Sequence, residues 1–272
     1  MNKEGETNKF CNQNLFNKNK RGQVTIFIII GLIIVVSGIL IYLFYPKIKT
    51  TIGGEEKSPQ AYIQSCIEQD IKEAVEKISI QGGSISPINY IFYNDTKIEY
   101  LCYTNEYYRP CTIQQPMLKK HIESEITKDI DQDVDACFNS LKENYEKRGY
   151  VVELKRGEKI VELQPNKIST NFNYSLTLTK GDTQRYDSFS VVLNNNLYEL
   201  VSIANDIIWW ENTYGDAEVT TYMTYNHNIK AEKLTKGSGE RIYILTNRNT
   251  QNKFKFAVRS QAWPAGYTTI TG

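Results

Sequence analysis

Between Val24 and Pro46 the chain reads VTIFIIIGLIIVVSGILIYLFYP, twenty-three residues without one charge. Crossing a bilayer core about 30 Å thick takes roughly 20 apolar residues of helix. The β-branched content does not oppose this, because lipid leaves the backbone no other partner for its hydrogen bonds. A helix on the surface of a soluble domain keeps a polar face, and this run has none. The run predicts one transmembrane helix, with Gly31 and Gly38 ordinary residues within it. A lipid bilayer is thus the first expected partner, through 24–46.

The flanking charge sets an expected orientation. Seven of the 32 basic residues precede position 50 (Lys3, Lys9, Lys18, Lys20, Arg21, Lys47 and Lys49), against Glu4 and Glu6. Residues 50–272 therefore keep 25 of the 32 basic and 29 of the 31 acidic side chains, a net charge of −4. Basic excess marks the cytoplasmic side of a membrane helix, so the N-terminus is expected inside and the C-terminal domain outside, at the cell surface. The acidic balance of that domain argues against nucleic acid as its partner.

Cysteine usage points the same way. Cys11 lies in the tail, leaving Cys66, Cys102, Cys111 and Cys137 in the outer part. Four cysteines in an oxidising compartment suggest two disulfides, with three possible connectivities. No pair has the C-x-x-C spacing of a zinc site. Cys102 and Cys111 bracket a short polar loop, while Cys66 and Cys137 fall on two predicted helices, so the expected pairs are Cys102–Cys111 and Cys66–Cys137.

The tail, residues 1–22, is rich in Asn and Lys and is expected to be disordered. It ends in KRGQVTIFIIIG, which resembles the class III signal of archaeal type IV pilin-like proteins. There a basic residue and a glycine precede the cut of a prepilin-type peptidase, and Gln is a common first mature residue. The resemblance implies processing between Gly22 and Gln23. Two features depart from it. Phe27 stands where many pilins carry a Glu that pairs with a neighbouring subunit, and Pro46 with Gly53-Gly54 should break the rod that pilins continue into the head.

After a linker at 47–57, Ser58-Pro59 reads as a helix start. The stripe Ile63, Ile67, Ile71, Ala74/Val75, Ile78 follows, and Gly82-Gly83 ends it. Aromatic strands are predicted at 88–93 and 97–103, joined at Asn94-Asp95. A second helix begins near Pro116 and buries Leu118, Ile122, Ile126, Ile130, Val134, Phe138, Leu141 and Tyr145. From Tyr150 the period becomes two, predicting strands at 150–155, 158–164, 167–179 and 184–193. Along the third of these, Ile168 to Leu178 alternate with polar residues, the pattern of an antiparallel meander with one wet face. A third helix spans about 197–213, and further strands are expected near 218–224, 228–234, 240–246 and 253–258. The expected class is α+β: a transmembrane helix, then an extracellular domain of helices packed on an antiparallel meander. Residues 58–149 supply a helix–hairpin–helix part and 150–272 a sheet with one helix. This order of parts resembles a set of archaeal single-pass membrane proteins, a likeness that carries a layout and no chemistry.

Candidate sites are sparse. Asp129, Asp131, Asp133 and Asp135 form D-x-D-x-D-x-D, but the Gly and Glu that a calcium loop needs would fall at Val134 and Ser140. The segment reads instead as a solvated acidic helix face. His121 and His227, both expected at the surface, cannot build a metal site alone. No hydrolase elbow, metalloprotease, phosphate-loop or dinucleotide motif occurs, so no catalytic residue, metal or cofactor is expected. Asn94-Asp95-Thr96 and Asn173-Tyr174-Ser175 are N-glycosylation sequons. Tyrosine is abundant, at 19 residues, and clusters over 90–108. Tyr and Trp fill strand cores, but they also dominate contact surfaces. Loop 104–114, with Tyr107, Tyr108 and Arg109, is the expected contact loop if a disulfide pins it, and Trp209-Trp210 sits on the third helix.

These features predict a non-enzymatic surface protein, a pilin-like or adhesin-like subunit that assembles with itself or binds a surface protein or glycan. The alternative is an anchored sensor or accessory domain that binds a partner and never assembles. An anchored hydrolase is the third reading, and it would need a deep pocket with convergent titratable groups.

Overall fold

A computed structural model describes residues 28–37 and 58–262. The Gly22–Gln23 junction, Cys11, the ends of the apolar run and the 47–57 linker lie outside the described residues. The chain divides into Met1–Glu56 and Lys57–Gly272. In the first unit, residues 28–37 form helix α1. Its aliphatic side chains are 47–65 % exposed. Among the described residues no helix is long and apolar enough to cross a membrane, so the expected transmembrane span is not established by this structure.

The second unit is α+β, with largely antiparallel sheets. Helix α2 (Pro59–Gln81) starts where expected: Ser58 is extended and its hydroxyl accepts from Ala61 N–H. Its isoleucine stripe is buried throughout, and Gly82 ends the helix in a left-handed turn. The hairpin β1 (Tyr90–Tyr93) and β2 (Thr96–Tyr103) turns on Asn94 and Asp95, both at positive φ, the backbone that a two-residue hairpin requires. A short β3 (Thr112–Ile113) also pairs with β2.

The expected second helix is two: α3 (Leu118–Asp129) and α4 (Asp131–Lys147), joined at Ile130. The apolar stripe explains the joint. Its residues recur every four positions from Leu118 to Phe138, and each such step overshoots a full turn by about 40°. A straight helix would carry Phe138 to the far side from Leu118. The break at Ile130 re-aims the second half, and all eight stripe residues are buried.

From Val151 six strands follow: β4 (Val151–Lys155), β5 (Lys159–Gln164), β6 (Lys167–Phe172), β7 (Ser175–Lys180), β8 (Asp182–Tyr186) and β9 (Phe189–Asn194). They pair as β4-β7-β8 and β5-β6-β9. The expected strand 167–179 is therefore two, in two sheets, and 184–193 likewise. The registers show the expected meander beneath the split. Val151 faces Thr179 and Lys159 faces Phe172, a one-residue slip across Arg156–Glu158. A slip of the opposite sense separates Leu176–Tyr186 from Phe172–Phe189. Three long strands are thus bent at bulges at one level. Arg156-Gly157, between the strands predicted at 150–155 and 158–164, is such a bulge. A Cβ on Gly157 would lie 2.0 Å from Asn173 O, so only glycine fits.

Helix α5 (Leu197–Tyr214) and a six-residue α6 (Thr220–Tyr225) come next. α6 occupies the segment expected as strand 218–224. Strands β10 (Ile229–Thr235), β11 (Glu240–Asn247) and β12 (Lys253–Arg259) then complete a third, six-stranded sheet, in the order β1-β2-β12-β11-β10 with β3 on β2. The β12–β2 pairing is parallel and unites the two sequence-defined parts of the domain. One core runs from the meander through α2 and α5 to this sheet, with Ile63, Phe138, Phe172, Tyr243 and Phe256 all fully buried.

Both expected disulfides are present. Cys66–Cys137 ties α2 to α4, and Cys102–Cys111 closes the loop between β2 and β3. The aspartate run departs from a purely solvated face. Asp131 and Asp135 grip Lys159 at 2.5 and 3.0 Å, and Asp135 also meets Arg156 and the Tyr174 hydroxyl, stapling α4 to the bulge.

Candidate interaction surface

Two clusters merit comparison as sites, one closed and one open. The closed cluster follows α2. Ser84 donates to a carboxylate oxygen of Glu99 and shares a 2.8 Å hydrogen bond with His121 Nε2. Glu125 accepts from Ile85 N–H. Sequence reading placed His121 at the surface; the structure half-buries it on α3, and burial lowers its pKa, favouring neutral imidazole. Burial likewise raises Glu99, against the opposing hydrogen bonds of Ser84 and Gln115. The residue types are those of a nucleophile and a base. However, Ser84 is 5 % exposed and its proton already points at Glu99. The cluster is built to satisfy buried polar groups beneath the Gly82-Gly83 turn.

The open cluster lies at the C-terminal end of α5. The inward stripe Leu197, Leu200, Val201, Ala204 and Ile208 is buried as its spacing predicts. On the other side Trp209, Trp210 and Tyr214 are 50, 43 and 53 % exposed. Their rings pack on one another, Trp209 to Trp210 at 5.4 Å and Trp210 to Tyr214 at 4.8 Å between centroids. Asp206 sits one turn earlier on the same face. Gly215 ends the helix in the left-handed region, and a Cβ there would strike the Ala262 side chain at 2.1 Å. The chain then folds back, and Glu218, Thr221 and Tyr222 face Asp206, Trp209 and Trp210 across a cavity of about 470 Å³. Glu218 accepts from Thr220 N–H at 2.7 Å, and bonds from Thr220 lower its pKa, keeping it ionised.

Beneath this surface is a buried charge network that sequence reading missed. Glu211 has no exposed surface. It accepts from the Tyr243 hydroxyl and from Arg241 at 2.6 Å. Asp216 links Arg241 to Lys233, whose Nζ lies 2.9 Å from it. Burial outweighs the Arg241 charge and pushes the Glu211 carboxyl up to about 7. The spacing of Glu211, one turn beyond buried Ile207 and Ile208, was the available signal, masked by its charge.

The expected contact loop reaches the same end of the domain. Tyr107 and Tyr108 are 66 and 68 % exposed, and Arg109 pairs with Glu106 at 2.9 Å. Tyr108 has positive φ, and its N–H donates to Gln261 O at 2.7 Å. Asn212 of α5 donates to Cys111 O at 2.7 Å. The disulfide-closed loop and the α5 aromatics are thus bound into one end, with the chain at 261–262 between them. Of the other candidates, Asn94 and Asn173 are exposed, at a hairpin tip and at the meander bulge, and His227 is exposed as expected. Among the described residues no group of three His, Cys, Asp or Glu side chains is placed to hold a metal.

Comparison with known protein families, characterised proteins and solved structures finds no match to this chain.

Proposed function

We propose that the chain is a single-pass membrane protein whose 24–46 helix tethers an outward-facing, disulfide-braced domain, and that this domain binds a partner rather than catalysing a reaction. The observation carrying the binding role is the aromatic end of α5. Fully burying an indole is worth about 1.5–3 kcal/mol, and the fold leaves Trp209 and Trp210 half exposed while covering Glu211. The uncharged run and its basic flank support the tether, and two disulfides support an oxidising exterior. Asn94 and Asn173, both exposed, are the positions for glycans in this reading.

The test places a photo-crosslinking residue at position 210 of the full chain in intact cells, with position 147 on the exposed end of α4 as control. Heavier adducts at 210 and none at 147 support the surface; equal yields at both positions refute it. Protease added to intact cells should release the domain, and protection of the domain would refute the outward orientation.

A filament subunit is the second reading, favoured by the Arg21-Gly22-Gln23 junction. Against it, Ser58 is extended and caps α2 afresh, so α2 does not continue an N-terminal rod. Intact mass of the mature chain separates the two: a start at Gln23 supports the subunit, and a start at Met1 supports the static tether.

A further inference from the structure

We propose that the cavity between α5 and α6 is a binding site for an alkylated ammonium group, held between indole faces and two carboxylates. This names the ligand chemistry of the aromatic end and rests on the binding reading above.

The wall residues are Asp206, Trp209, Trp210, Glu218, Thr221 and Tyr222. They bring three aromatic rings and two carboxylates to one cavity, with no basic side chain among them. Among the described residues neither Asp206 nor Glu218 forms an ion pair. Lys233, whose charge is felt at Glu218, has its ammonium engaged by Asp216 and by Ala217 O at 3.0 Å. The cavity therefore carries net negative charge that no ion pair at its wall offsets.

Ring geometry selects the kind of cation. Trp209 and Trp210 stand at 84° to each other, and Tyr214, outside the cavity wall, packs on Trp210 at 4.8 Å. Rings at right angles form a corner rather than the single flat platform on which a sugar ring stacks. Aromatic faces carry negative potential and attract cations, most strongly weakly hydrated ones. A metal ion would need a converging set of oxygen or nitrogen ligands, which two carboxylates beside indoles do not supply. A methylated ammonium group, compact and apolar at its surface, satisfies both the rings and the charge.

The test uses the full chain in a non-ionic detergent, because two of its three tryptophans are Trp209 and Trp210. Intrinsic fluorescence is followed during titration with choline and with its uncharged isostere, 3,3-dimethylbutan-1-ol. Choline should give a saturable change, and the isostere should bind at least about tenfold more weakly. Asp206→Asn with Glu218→Gln should weaken choline by a similar factor in a chain that still melts cooperatively. Equal binding of the isostere, failure of choline to saturate in the millimolar range, or undiminished binding by the double variant overturns the proposal. Saturation by a neutral oligosaccharide with no response to choline overturns it too, while leaving the crosslinking result at position 210 to stand or fall separately.

Discussion

The last two turns of α5 reverse the usual distribution of side chains. On the inner side Glu211 is fully buried; on the outer side Trp209 and Trp210 are half exposed. The inner carboxylate persists because Arg241 and Tyr243 both donate to it, and a buried charge without such partners is costly. The indoles have no comparable structural justification. Two adjacent patches of one helix thus obey different constraints. The inner one is fixed by the fold, and the outer one is left free of it, as expected of a surface kept for a ligand.

That contrast can be broken from the inside first. Glu211→Ala should cost about 3–5 kcal/mol in denaturant unfolding, because it leaves the buried Arg241 with only Asp216, at 3.5 Å, and the Tyr243 hydroxyl without its acceptor. A loss below about 1 kcal/mol, the range of ordinary surface changes, would mean that the network is dispensable.

A pH profile sharpens the comparison. The Glu211 carboxyl is raised to about 7 in the fold, against an ordinary value near 4.3 in the unfolded chain. The folded state therefore holds the proton more tightly. This stabilisation is complete below the unfolded value and is lost as pH rises to the folded one. Across that window, stability relative to Glu211→Gln should fall by about 3 kcal/mol. Asp135, Glu125 and Glu218 have lowered values. Their contributions run the other way and appear equally in both proteins, so the difference isolates Glu211.

Next in size is the loop beside the indoles. Replacing Cys102 and Cys111 by Ser opens a crosslink of nine residues' separation, a change worth about 2.5 kcal/mol on the chain-entropy model. Melting under non-reducing conditions checks the magnitude, and the crosslink yield at position 210 should change along with it.

The smallest stability effect is expected on the outer face. Trp209→Ala with Trp210→Ala should shift stability by no more than about 2 kcal/mol, while abolishing the choline-dependent signal after correction for the lost fluorophores. Isothermal calorimetry supplies the fluorescence-independent readout. A large destabilisation would place the indoles with Glu211 as structural residues and erase the comparison.

Much of this architecture was legible because period and punctuation act locally. The Ile63–Ile78 stripe, the Ser58-Pro59 start, the Asn94-Asp95 turn and the meander order all follow from spacing and backbone preference. The break at Ile130 was written in the four-residue spacing of its stripe, though only the demand for a common buried face turned it into a kink. The 167–179 alternation correctly placed Ile168 to Leu178 inside. It could not reveal the bulge at 173–174, because a register slip depends on the neighbouring strands. Segment 218–224 read as a strand from its Val, Thr and Tyr; in the fold most of it is α6, packed against β10. His121 was read by its polarity as a surface residue, and Glu211 was not singled out; the burial of both came from what packs over them.

Residue order alone carries the uncharged run, the charge asymmetry around it, and the helical and strand periods. Each is a property of residues near one another or of composition, where hydrophobicity and backbone sterics suffice. Tertiary structure alone decided that β2 pairs in parallel with β12, that a serine–histidine contact is sealed beneath a turn, and that Asp206, Glu218 and three rings share one cavity. Those outcomes depend on contacts between segments far apart in the chain, and no local preference encodes them.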